Sequence, residues 1–112
     1  WFLSQRSLVD GYSRVYFNGI TTLVLANVID LIIDSHSNLS GIMNISSNQT
    51  ISKYSLLCLI KTISPKKLPK ILKNKKYFEY KVLDPSLFNK TINYKIPSHK
   101  KMIYDLYNAF FN

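Results

Sequence analysis

Hydrophobic and polar positions alternate with two different periods along this chain, and the changes of period divide it into strands and helices. Residues 12–17 alternate aromatic or Val side chains with polar ones, as a strand does, and Gly19 ends that segment. Apolar residues then recur at helical spacing to about Ile33, behind an N-cap at Thr21 or Thr22. The predicted apolar stripe of this helix is Leu25, Val28, Ile29, Ile32 and Ile33.

The same alternation occurs once more. The short apolar run at residues 41–45 predicts a strand buried on both faces. Ser52 then predicts the N-cap of a helix over residues 54–63, which Pro65 ends. The buried stripe of that helix is predicted to be Leu56, Leu59, Ile60 and Ile63. The order strand, helix, strand, helix is typical of an α/β protein.

The remaining segments predict short elements. Residues 1–3 are the end of a helix, Asp10-Gly11 is a turn, and residues 66–77 are a loop with a short strand at 68–72. An extended stretch follows over 77–83, and then a helix from Asp84-Pro85 to about Lys90. The last helix runs from a Ser98 cap to Phe110, and its inward residues are Met102, Ile103, Leu106 and Phe110. Such a chain is helix-rich with a few short strands, too few for an independent sheet. We therefore expect one partial domain over residues 1–112, which begins at Trp1 in the middle of a pattern.

Composition adds a strong positive charge. The 112 residues carry 15 Lys plus Arg against 6 Asp plus Glu, a net charge of +9. Such a charge favours an anionic partner such as nucleic acid, but abundant Lys, Asn, Ile and Tyr together also indicate a composition bias. Because the pattern places the aromatic residues on apolar stripes, we expect no nucleic-acid partner. Cys58 is the single cysteine and is expected to be a small core residue.

Chemistry-bearing motifs are sparse. The three glycines form no phosphate loop, and no Cys/His spacing fits a metal site. His36 and His99 are expected to be solvated. Tyr77 and Lys81 have Tyr-x-x-x-Lys spacing, but in an extended segment they would not share a face. We therefore expect no catalytic, cofactor or metal residue in this chain, no membrane span and a cytoplasmic location.

Five segments in collinear order carry a resemblance to a known family. They are GITTLVLANVI at residues 19–29, LSGIMNISS at 39–47, ISKYSLL at 51–57, LDPSLF at 83–88 and NYKIPS at 93–98. These resemble the extended short-chain dehydrogenases/reductases, and within them the dTDP-4-dehydrorhamnose reductase-like sugar-nucleotide reductases. The resemblance implies the C-terminal substrate-binding lobe of a Rossmann-type enzyme, with the dinucleotide fingerprint and catalytic Ser/Thr, Tyr and Lys upstream of Trp1.

The same resemblance implies the function and the site. Such enzymes pass hydride from NAD or NADP to a keto group of a nucleotide-linked sugar, in polysaccharide biosynthesis. The implied substrate contacts here are Arg14, Asn18 and Lys81. Arg14 would face the diphosphate, although an exposed strand arginine fits equally well; Asn18 would line the pocket mouth or pack in the core; Lys81 replaces an arginine of the family.

Three functions remain open at this point. The first is the nucleotide-sugar-binding portion of a reductase. Whether such a protein forms a homo-oligomer is left open. The second is a non-catalytic partner or regulatory subunit with the same fold. The third, a small nucleic-acid-binding protein, predicts basic residues on one face beside exposed aromatics. The pattern places the aromatic residues on apolar stripes instead, which disfavours this function.

Overall fold

The computed structural model describes residues 1–111, and within them the fold is α/β with four α-helices and five short strands. The elements are a 3₁₀ turn (Phe2–Ser4), β1 (Val9–Tyr12), β2 (Val15–Phe17), α1 (Thr22–Ser35), β3 (Ile51–Ser52), α2 (Lys53–Ile63), β4 (Ile71–Asn74), β5 (Glu79–Lys81), α3 (Ser86–Thr91) and α4 (His99–Phe111). The predicted class and most of the helices are confirmed.

The strands form one interrupted parallel ladder with an added edge. β1 pairs with β4 in parallel, and β2 pairs with β5 in parallel. Between the two pairs, the backbone N–H of Ser13 donates to Asn74, and that of Glu79 donates to the carbonyl of Arg14. β3 adds antiparallel to the other edge of β2, which gives the order β3-β2-β5.

Gly11 shows why β1 can approach its neighbours so closely. Val9–Tyr12 is a strand, so the predicted turn at Asp10-Gly11 is wrong. A Cβ on Gly11 would lie 2.7 Å from side-chain atoms of both Ile71 and Tyr54. The glycine therefore serves close packing of β1 against β4 and α2.

Helix ends follow the cap residues in the sequence. Thr21 accepts a hydrogen bond from the Val24 N–H, and Ser52 accepts one from Ser55. Ser98 accepts one from Lys101, so the predicted caps Ser52 and Ser98 are confirmed. Asp84 accepts from the Ser86 N–H, and this bond holds the pKa of its carboxyl below the usual value.

Two apolar clusters hold the elements together. The larger joins α1, α3 and α4 through Val24, Val28, Phe88, Ile92, Ile96 and Met102. The smaller joins the 3₁₀ turn, β1 and the loop before β4 through Phe2, Val9 and Leu68, with Leu57 and Ile60 of α2 against it. The ladder with β2 and β5 lies beside these clusters, where its outer positions reach solvent.

Four predictions of burial are wrong in whole or in part. Residues 41–45 form no strand, and Ile42 is 94% exposed, because no described strand pairs with this segment. In α1 the predicted stripe is buried at Val28 and half-buried at Ile32, but Leu25, Ile29 and Ile33 are exposed and Val24 faces inward instead. Phe110 of α4 is also exposed, while the other three members of its stripe are buried or half-buried. Cys58 is half-buried rather than a core residue.

Candidate functional site

Arg14 lies at the break between β1 and β2, against an aromatic neighbour. Its guanidinium carbon is 5.3 Å from the centroid of the Phe78 ring, a cation–π distance. Phe78 in turn packs edge-on against Tyr16, with centroids 6.5 Å apart. Within residues 1–111 Arg14 forms no ion pair with a carboxylate. The guanidinium is exposed and keeps its donors for another acceptor.

Asn18 follows β2 and is buried, with 3% of its surface exposed. Its Nδ2 donates to the carbonyls of Ser47 at 3.0 Å and Leu83 at 2.7 Å. Its Oδ1 accepts from the Leu83 N–H at 2.9 Å. Both amide hydrogens are thus engaged, and the side chain ties three segments that are 29 and 65 residues apart in sequence. Its place as a substrate contact stays a prediction.

Lys81 lies on the opposite face of the sheet from Arg14. Lys81 is the register partner of Phe17, and Tyr80 is the partner of Tyr16. Since side chains alternate along strands, Lys81 shares the Phe17 face, whereas Arg14 packs on the Tyr16 face through Phe78. The exposed Lys81 ammonium is 3.2 Å from Glu79. The structure therefore does not bring the two cations together.

A groove of about 430 Å³ opens beside Phe17, between β1, the first turns of α2 and Trp1. Its walls are mainly apolar, with one carboxylate and one ammonium at the rim. The lining residues are Trp1, Asp10, Tyr12, Phe17, Lys53, Leu56 and Leu57. A small ligand with an apolar body and an anionic group fits this combination. Hydrophobic spacing alone could not reveal the groove, because its walls come from three separate elements.

His99 is buried, so the expectation that it is solvated is wrong. It is 8% exposed, and its Nε2 has no hydrogen-bond partner. Burial lowers the pKa of His99, and a hydrogen bond to the backbone of Gly19 opposes this only in part. The sequence does not predict the burial of His99, because residue 19 packs against the first turn of this helix only in the tertiary structure.

The lowered pKa predicts acid sensitivity. The unfolded chain binds a proton on His99 more readily than the folded chain does, so stability is lost as the pH falls below about 6.5. We expect the urea midpoint to decrease between about pH 6.5 and pH 5, and His99→Gln to flatten this part of the profile. An identical decrease in the variant would contradict the assignment.

Within residues 1–111 no cluster of three or more His, Cys, Asp or Glu side chains is placed to hold a metal ion. No helix of the described part is both long and apolar enough to cross a membrane.

The fold is similar to two solved structures. One is dTDP-4-dehydrorhamnose reductase from Bacillus anthracis in complex with NADP, at a TM-score of 0.80 and 14% identity, covering 95% of this chain and 39% of that one. The other is the enzyme WbmH from Bordetella bronchiseptica in complex with NAD⁺, at a TM-score of 0.61 and 14% identity, covering 97% of this chain and 37% of that one. No family model matches the sequence, and no curated protein matches it significantly.

These likenesses concern the fold. At 14% identity they show that the chain has the α/β architecture of part of such enzymes. The chain spans less than two fifths of the length of either neighbour. Both neighbours were crystallised with a nicotinamide cofactor, which is a property of those proteins.

Proposed function

We propose that this chain is the nucleotide-sugar-binding portion of an NAD(P)H-dependent reductase of nucleotide-linked 4-keto-6-deoxy sugars. The observation that carries the proposal is the fold likeness over 95% of the chain, at a TM-score of 0.80, to part of a reductase crystallised with NADP. The collinear sequence segments support the same family. The dinucleotide fingerprint and the catalytic residues of such an enzyme are not among these 112 residues.

The groove beside Phe17 is the substrate contact that we propose. Its apolar wall suits the less polar side of a deoxy sugar, and Lys53 at its rim and Lys81 beside Phe17 offer charge to a diphosphate. To bind the phosphate, Lys81 would leave its ion pair with Glu79. Breaking this ion pair costs little free energy, because it is exposed. Arg14, on the other face, does not complete the same diphosphate site in this arrangement.

The test is a titration of the ¹⁵N-labelled chain with dTDP-glucose, followed by NMR. We expect a Kd in the millimolar range, about −4 kcal/mol, because the groove is one open wall. Amide shifts should move at Phe17, Lys53 and Lys81. Lys81→Gln should weaken the response, whereas Lys90→Gln on α3 should leave it unchanged. Absence of shifts at the groove would contradict the proposal.

The second candidate is a non-catalytic partner subunit, and an exposed apolar face on α1 is compatible with both functions. The outward side chains Leu25, Ile29 and Ile33 of α1 are 38%, 47% and 66% exposed, and Ile42 lies exposed in the loop that follows the helix. A dinucleotide-binding sheet is the occupant that we propose for this face, because the matched part is only 39% of the neighbouring reductase chain. In a reductase, the complete gene would encode Gly-x-x-Gly-x-x-Gly and Tyr-x-x-x-Lys in the same polypeptide. A partner subunit would lack them.

A further inference from the structure

Three aromatic rings and Arg14 form an exposed group on the Tyr16 face of the sheet, called here the aromatic face (Arg14, Tyr16, Phe78 and Tyr80). The Tyr16 ring lies 6.5 Å from Phe78 and 6.2 Å from Tyr80, centroid to centroid. Phe78 is 61% exposed and Tyr80 is 63% exposed. Phe78 and Tyr80 both contact the half-buried Tyr16 and are still more than half exposed, so burial does not explain them.

Cations accompany the rings. The guanidinium of Arg14 lies over Phe78. The ammonium of Lys76 is instead 5.3 Å from the ring centroid of Tyr77, which is 48% exposed and packs edge-on against Tyr12 of the groove rather than on the aromatic face. The expectation of no nucleic-acid partner assumed that the aromatic residues lie on buried stripes, and for Tyr77, Phe78 and Tyr80 that premise is wrong.

The charge decides between possible occupants of this face. A second copy of the chain would bring another net charge of +9 and another Arg14 against the same surface. An anionic partner with flat apolar groups satisfies both the cations and the rings. Single-stranded nucleic acid combines these two properties, since each nucleotide carries one phosphate and one base with an exposed π-face.

We propose that the aromatic face binds single-stranded nucleic acid. Phe78 and Tyr80 are two residues apart in an extended segment, so their Cα atoms are about 6.6 Å apart and their rings leave the same face. That separation suits successive unstacked bases, one on each ring. Arg14 then pairs with a flanking phosphate. Such stacking tolerates any base sequence. This proposal does not rest on the reductase function.

The test is fluorescence anisotropy of a labelled single-stranded oligothymidylate of about 12 nucleotides, within the range of known site sizes. We expect F78A/Y80A to weaken binding at least about tenfold. The ring-preserving F78Y/Y80F should bind like the parent chain. The matched control is Tyr104→Ala, because Tyr104 is also 54% exposed but lies on α4. It should leave binding unchanged.

Salt dependence separates the phosphate contacts from the stacking. Arg14→Gln should reduce the slope of log K against log salt by about 0.7, the value for one phosphate contact on a single strand. The F78A/Y80A variant should keep the parent slope. All substituted rings are exposed or half-buried, and circular dichroism with a urea midpoint checks that each variant is folded.

Several results would overturn the proposal. One is an equal loss of oligonucleotide affinity in Y104A and in F78A/Y80A. Another is equal affinity of the parent chain for a duplex and a single strand of the same length. A third is the absence of binding at low salt. Self-association that F78A/Y80A abolishes, seen in sedimentation without oligonucleotide, would assign the face to a second copy instead. A failed dTDP-glucose titration leaves this result untouched, since that ligand is expected on the Phe17 face.

Discussion

Replacing Phe88 with alanine should lower the free energy of unfolding by about 3–5 kcal/mol. Phe88 is fully buried and lies in the cluster that joins α1, α3 and α4. Its own helix, Ser86–Thr91, has six residues and is too short to be stable without tertiary packing. Loss of the ring therefore leaves a cavity and also releases α3 from Val28 and Met102.

The adjacent residue supplies a matched control. Leu87 is 53% exposed, so Leu87→Ala should change stability by no more than about 0.5 kcal/mol. Urea unfolding followed by circular dichroism measures both variants, and the slope of the transition shows whether the unfolded states are comparable. A loss below about 1 kcal/mol for Phe88→Ala would mean that the larger cluster is not a stable core.

Helix positions could be predicted from the sequence because their signals are local. Ser52 and Ser98 each accept a hydrogen bond from a backbone N–H three residues ahead, so the cap and its partner lie in one short window. Pro65 follows the last turn of α2 for an equally local reason. None of these positions depends on how the helices pack against one another.

The inward face of α1 could not be predicted in this way. Apolar residues occur nearly all around this helix, from Leu23 through Ile33. Spacing identified Val28 and Ile32, but it allowed Leu25 and Ile29 on the buried side as readily as Val24, which packs in the core. Only the positions of α3 and α4 decide which face is buried. The apolar run at 41–45 could not be assigned for a similar reason. A strand requires a hydrogen-bonded partner strand, and the apolar pattern does not identify one.

The candidate site depended on strand register. Arg14 and Lys81 were both predicted to meet the same ligand, but the register of β2 with β5 places them on opposite faces. A shift of one residue would reverse this result. The groove beside Phe17 and the aromatic face are likewise tertiary features, since their members lie up to about 65 positions apart in the sequence.

Asn18→Asp should be the most destabilising conservative change next to the site, with a loss of about 3–5 kcal/mol at pH 7. The carboxylate keeps the shape of the amide and can still accept from the Leu83 N–H. It cannot donate to the carbonyls of Ser47 and Leu83, which would then face a buried negative charge at about 3 Å. Burial raises the pKa of such a carboxyl, so lowering the pH toward about 4 should recover part of the loss.

Asn18→Ala provides the comparison, because it removes the same hydrogen bonds without adding charge. We expect a loss of about 2–4 kcal/mol with no recovery in acid beyond that of the parent chain. Urea midpoints at pH 7 and at about pH 4 measure both variants and the parent chain. If Asn18 contributed only a substrate contact, both variants would keep the parent midpoint and differ only in the dTDP-glucose titration. Because both amide hydrogens are engaged in hydrogen bonds, we expect both substitutions to lower the urea midpoint. Asn18 then acts mainly by positioning the strand ends on which Lys81 and the groove depend.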